Sequence, residues 1–72
     1  MTKKDYEKIA ATLKRIIEQI GRIDVETESG NVIEDLPEFL IDEFAYTLED
    51  YPRFDEEKFR KFIYKDNKYY SN

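Results

Sequence analysis

Asp24, Glu26 and Glu28 stand at the first, third and fifth positions of a calcium-loop spacing, with Asp35 at the twelfth. The sharp turn of such a loop needs glycine at its sixth position, where this chain has Ser29; Gly30 falls one place late. Asn31 then occupies a place that such a loop gives to an apolar side chain. The run reads as an exposed acidic edge, and neither a metal nor another cofactor is assigned to the chain. There is no His, no Cys and no glycine-rich phosphate loop. Acid–base work would fall to carboxylates and tyrosines, which need a water-excluding pocket that a helical chain of 72 residues rarely encloses. The expectation is a protein that is not an enzyme.

The remaining chemistry is that of charge. Asp24, Glu26, Glu28, Glu34, Asp35, Glu38, Asp42, Glu43, Glu49 and Asp50 lie in one stretch that contains no Lys or Arg. The flanks are basic, with six bases against three acids over 1–22 and six against four over 53–72. They can offset half of the ten negative charges. Within the stretch, Glu34, Glu38 and Asp42 repeat at helical i,i+4 spacing, where each like-charge pair costs a few tenths of a kcal/mol. Glu49 and Asp50 fall at the negative end of the helix expected there. Phe39 and Tyr46 stand among these acids and off the apolar stripe, as interface anchors do. Uncompensated breaches of local consistency tend to mark functional surfaces. They single out Glu38, Phe39, Asp42, Glu43, Tyr46, Glu49 and Asp50 as a partner-binding face. A net charge of -5 and a pI near 4.7 favour a basic protein over direct contact with nucleic acid.

The elements that position this face follow from periodicity. The expected class is all-α, a small three-helix bundle in one domain, with a short β-ribbon or an irregular insert after the first helix. The first helix spans Lys3 to about Ile20, opened by Thr2 and Asp5 as a capping box, with Met1 stapling onto Tyr6, and closed by Gly21. Its apolar stripe is Tyr6, Ile9, Leu13, Ile16, Ile20 and Ile23, widened by Ala10 and Ile17. Lys14–Glu18 and Glu18–Arg22 have the spacing of supporting ion pairs. Ile23, Val25 and Thr27 alternate with acids, and Ser29-Gly30-Asn31 is a turn signal, so a ribbon with Val32-Ile33 and an irregular loop are both open. The second helix is expected from about Pro37 to Tyr51, capped by Asp35 or Leu36, with the stripe Leu40, Phe44, Leu48 and Tyr51 flanked by Ile41 and Ala45, and stopped by Pro52. The third runs from Glu56 to about Lys65 behind an Asp55 cap, with a Phe54–Phe59 staple. Its buried face is Phe59, Phe62 and Ile63, and residues 66–72 are expected to fray.

No apolar run approaches the roughly 20 residues that span a bilayer, and no signal-peptide core opens the chain, so no membrane partner is expected. The lack of Cys fits a cytoplasmic protein.

Met1-Thr2-Lys3-Lys4-Asp5-Tyr6-Glu7-Lys8-Ile9-Ala10 and Pro52-Arg53-Phe54-Asp55-Glu56-Glu57-Lys58-Phe59 resemble the two ends of a group of short tailed-phage proteins. Those proteins open M-T-K-x-D-Y-x-x-I-A and close N-P-R-F-D-x-x-x-F-L-x-A-C-G. This chain departs at Tyr51 and at Arg60, Phe62, Ile63 and Tyr64. The resemblance implies origin in a phage or mobile element and hence action in a host cytoplasm. Joined to the acidic face, it leads to an expected inhibitor of a host defence nucleoprotein, of the anti-CRISPR kind, that occupies a basic nucleic-acid-binding surface. Two other readings stand beside it. One is a regulatory or assembly adaptor working through an apolar patch, as a homodimer along the first helix. The other is a nucleic-acid binder using Arg53, Lys58, Arg60, Lys61, Lys65 and Lys68.

Overall fold

A computed structural model describes residues 2–67, 69 and 70. Its elements are α1 (Lys3–Ile20), β1 (Val25–Glu26), β2 (Val32–Ile33), α2 (Leu36–Leu48) and α3 (Glu56–Tyr64). The protein is thus a small helical one with a short two-stranded ribbon between its first two helices.

Local chemistry sets most boundaries. The Asp5 carboxylate accepts the Thr2 N–H at 2.9 Å while the Thr2 hydroxyl accepts the Asp5 N–H at 3.4 Å. The hydrogen bonds from the Thr2 backbone and hydroxyl hold the Asp5 carboxyl below its usual range. At the other end Gly21 takes φ 69°, and its N–H closes the last turn on Ile17 O at 2.8 Å. The ribbon is antiparallel, with Val25 opposite Ile33 and Glu26 opposite Val32. Its turn is closed by Thr27 N–H to Asn31 O at 2.7 Å and by Gly30 at φ 86°. Asp55 accepts the Lys58 N–H at 3.1 Å to open α3, and the Phe54 and Phe59 rings meet edge-on at 5.3 Å as the staple requires. Met1 lies outside the described residues, and with it the expected staple onto Tyr6.

The core is Tyr6, Ala10, Leu13 and Ile17 of α1, Ile41, Ala45 and Leu48 of α2, and Phe59 and Ile63 of α3. Three of the expected stripes are therefore turned. Ile16 and Ile23 are 39% and 41% exposed, because α1 approaches α3 most closely and rolls its Ala10–Ile17 edge inward. On α2 the buried line is Pro37, Ile41, Ala45 and Leu48, which leaves Phe44 and Tyr51 at the surface. On α3 Phe62 is outside, with the Lys14 ammonium 5.8 Å from its ring centre. That contact, and the pairing of Arg22 with Asp35 at 2.9 Å, replace the expected Lys14–Glu18 and Glu18–Arg22 pairs.

Two further expectations are corrected. The second helix ends at Leu48, three residues early, where Leu48 O accepts the Tyr51 N–H at 3.0 Å in a tighter turn. Pro52 disfavours helical geometry at Tyr51, and Glu49 and Asp50 oppose the dipole there. The fray expected over residues 66–72 does not begin at Asp66. Asn67 is fully buried, accepting the Tyr69 N–H at 2.9 Å, and the Tyr70 hydroxyl donates to Asp35 at 2.8 Å. Lys68, Ser71 and Asn72 lie outside the described residues.

Among the described residues no helix is long and apolar enough to cross a membrane.

Candidate functional site

Of the seven residues singled out, the five within α2 divide between two faces, as steps of about 100° per residue require, while Glu49 caps the helix. Glu38 and Asp42, four apart, turn toward α3. Phe39, Glu43 and Tyr46, spaced four and three, share the outward face, and Asp50 follows in the turn after the helix.

The α3-facing pair is not uncompensated. Arg60 Nη1 lies 2.9 Å from Asp42 and 4.0 Å from Glu38, while its Nε holds Glu56 at 3.0 Å. Burial alone would lower the Arg60 pKa; hydrogen bonds to Asp42 and Glu56 reverse that and hold the guanidinium firmly protonated. Glu38 also accepts the Tyr64 hydroxyl at 2.9 Å, and burial together with that carboxylate pushes the Tyr64 phenol up to about 12. The i,i+4 stack of acids is thereby knitted into the α2–α3 contact by a cation on another helix.

Asp35 is the second junction. It caps α2 by accepting the Glu38 N–H at 3.4 Å, pairs with Arg22, and takes the Tyr70 hydroxyl. Its own N–H goes to Asp24 at 2.9 Å. Burial, with the Asp35 carboxylate beside it, raises the Tyr70 pKa. The Arg22 guanidinium lies 5.4 Å from the Tyr70 ring centre. Residues expected at a calcium-like spacing are therefore used otherwise: Asp24 and Asp35 tie the ribbon to α2, and Glu26 sits in β1. Among the described residues no three acids converge as a cation cradle.

Of the ten acids of the middle stretch, Asp24, Asp35, Glu38 and Asp42 thus have internal partners. Glu26, Glu28, Glu34, Glu43, Glu49 and Asp50 have none among the described residues, and all six are exposed. Tyr46 is 71% exposed, more than any other large hydrophobic side chain among the described residues, while Phe39 is half-buried. The outward face combines exposed carboxylates with an exposed phenol ring.

Two concave features had no periodic signature. A groove of ≈ 540 Å³ runs between α1 and α2 over Ile9, Leu13, Ile16, Leu40 and Phe44. A pocket of ≈ 400 Å³ lies between α1 and α3. The second was approachable from the sequence only through Arg53 and Lys58, which the helix-pairing rules leave without partners. Of the expected basic set, Arg60 and Lys61 are committed to acids, the latter to Glu57 at 3.0 Å, and Lys68 lies outside the described residues.

The two stretches that carry the phage resemblance meet in space. The Tyr6 hydroxyl donates to Pro52 O at 2.9 Å, and the Tyr6 and Phe54 rings are 5.3 Å apart. No protein-family model matches the chain, and searches of curated proteins and of solved structures give no match.

Proposed function

We propose that this chain is a protein-binding module that sets the outward face of α2 and its following turn against a basic protein surface of the kind that otherwise holds nucleic acid. The observation that carries the reading is the exposed Tyr46 ring between the unpaired carboxylates of Glu43 and Asp50. Glu43, Glu49 and Asp50 stand in for phosphates, and Tyr46, with the edge of Phe39, supplies desolvated contact. Glu38 and Asp42 lie at the rim, their charge partly answered by Arg60. Occupancy is the whole mechanism: the module blocks its target without reacting with it. Taken with the resemblance to short tailed-phage proteins, the reading extends to an inhibitor of a host defence nucleoprotein, anti-CRISPR-like, acting in the host cytoplasm.

The test is capture from a nuclease-treated bacterial lysate by the immobilised protein, beside a Glu43→Lys, Glu49→Lys, Asp50→Lys variant. The wild type retains a basic nucleic-acid-binding protein that elutes with added nucleic acid and with salt on the order of 0.5 M. Equal retention by the triple variant would falsify the reading.

A second reading has its own observation. Ile16 and Phe44, 39% and 40% exposed, rim the α1–α2 groove and give an adaptor or homodimer an apolar patch to use. Sedimentation at low and high salt separates the two, since a dimer made through this groove persists at high salt and dissociates on Phe44→Glu.

A further inference from the structure

The pocket between α1 and α3 has an apolar floor and a cationic rim. Tyr6, Ala10 and Phe59 form the floor and are buried, and Phe62, 42% exposed, stands as one wall. The pocket's ≈ 400 Å³ falls at the low end of the roughly 300–1,000 Å³ range of ligand pockets, room for one aromatic group.

Lys3, Arg53 and Lys58 stand on the rim with Glu7 and Asp55. Among the described residues none of the five is in an ion pair, although the other cations facing carboxylates nearby, Arg60 and Lys61, are. Asp55 is occupied as the α3 cap. The rim carries one positive charge in excess on a chain whose net charge is -5.

The backbone supplies an independent observation. Arg53 has φ 71°; the other left-handed non-glycine residues among those described, at 53° and 56°, are Asp35 and Asp66, of a type that tolerates the region. Arginine gains nothing there that glycine would not. The Tyr6 hydroxyl pins the turn through Pro52 O, so the conformation is imposed and Arg53 is held at the pocket mouth. Backbone strain of this kind gathers at ligand clamps.

We propose that this pocket binds an aromatic group that bears a single carboxylate. The ring packs against Phe62 over the edges of Tyr6 and Phe59, and the carboxylate is taken by the Arg53 guanidinium, with Lys3 and Lys58 adding to the local field. One excess positive charge matches a monoanion and not a phosphate dianion. A free aromatic acid and the C-terminal aromatic residue of a peptide both present this chemistry. The site is separate from the outward face of α2 and stands whether or not that face binds a basic partner.

The test is an amide-resolved NMR titration of the full chain with N-acetylphenylalanine and, in parallel, with the uncharged N-acetylphenylalaninamide. The acid is expected to shift the amides of Ala10, Arg53 and Phe59 saturably, with a Kd on the order of 1 mM. The amide is expected to bind about fivefold more weakly or worse. Arg53→Gly separates the site from the fold: its Tm stays equal or rises while affinity for the acid falls about tenfold. No shifts at these amides up to about 10 mM ligand, equal binding of acid and amide, or wild-type binding by Arg53→Gly each overturn the proposal. So does tighter binding of phenyl phosphate than of the acid. A pentapeptide ending in Phe assigns the source of a supported site: tighter binding than the single residue identifies a chain terminus, and equal or weaker binding a free acid.

Discussion

Arg60 of α3 and Asp42 of α2 meet at 2.9 Å, and through this contact a cation from one helix cancels a like-charge repulsion within another. With Glu38 and Glu56 also around the guanidinium, it is the main polar link between α2 and α3. Replacing Arg60 with Met keeps much of the stem and leaves Glu38 and Asp42 facing each other. The expected loss is about 1–2 kcal/mol, because the group is half-buried and part of a network rather than an exposed pair. For a chain of this size each kcal/mol lowers the melting temperature by about 4–8 °C. Thermal melts followed by circular dichroism should also show salt restoring part of the loss in Arg60→Met and stabilising the wild type less. Equal salt responses would mean that acid repulsion is not what Arg60 relieves.

The two capped tyrosines predict an alkaline limit. Folding raises the Tyr64 phenol from its ordinary value near 10 to about 12, and raises Tyr70 as well. For a raised pKa, the folded state binds the proton more tightly than the unfolded one. The stability is therefore fully present below pH 10 and is lost as the pH climbs through about 12. Tyrosinate absorbance should report a late-titrating pair, and denaturant midpoints should fall over the same window. In the Tyr64→Phe, Tyr70→Phe double variant that alkaline fall should shrink, at the cost of lower stability near neutrality from the two lost hydrogen bonds.

Gly21 and Gly30 both have positive φ but different surroundings. A Cβ at Gly21 would sit 3.2 Å from the Tyr69 ring, whereas at Gly30 it meets nothing within 4 Å. Gly30→Ala is expected to cost about 1 kcal/mol for its backbone alone. Gly21→Ala adds displacement of the docked Tyr69 ring, for a total of about 2 kcal/mol. Denaturant melts of the two variants check the order, and equal costs would show that the 69–70 segment yields freely.

Glu49 and Asp50 set stability against binding. Both sit at the C-terminal end of α2, Glu49 as its cap, with no basic residue in the last turn. Reversing them to Lys complements the helix dipole and is expected to stabilise the fold by about 0.3–1 kcal/mol. The same pair is expected to weaken capture of a basic partner. A variant that melts higher and binds less fits a surface kept acidic for contact. One that melts higher and binds equally would leave these two residues without a role in it.

What the sequence determined by itself is local. The Thr2–Asp5 box, the Asp55 cap, the Phe54–Phe59 staple, the Gly21 stop and the ribbon turn each depend on groups within a few residues of one another, and all are in place. The period of the apolar residues likewise located three helices. Tertiary structure decided the phase of each helix. Spacing gives an apolar stripe its width, but a neighbour decides which edge is buried, so Ile16, Phe44 and Phe62 remain at the surface while Pro37 goes inside and the flanking Ala10, Ile17, Ile41 and Ala45 become the buried centre. It also decided which charges are free. Whether Glu38 and Asp42 repel each other unopposed or share Arg60 depends on a helix that begins about four turns of chain later, a relation with no trace in their spacing. The docking of Asn67 and Tyr70 follows the same rule, because their partners lie across the fold: Tyr70 reaches Asp35 and Arg22. The acidic stretch thus entered as ten charges of one kind, and packing left six of them exposed, with Glu43, Glu49 and Asp50 the three that accompany Tyr46.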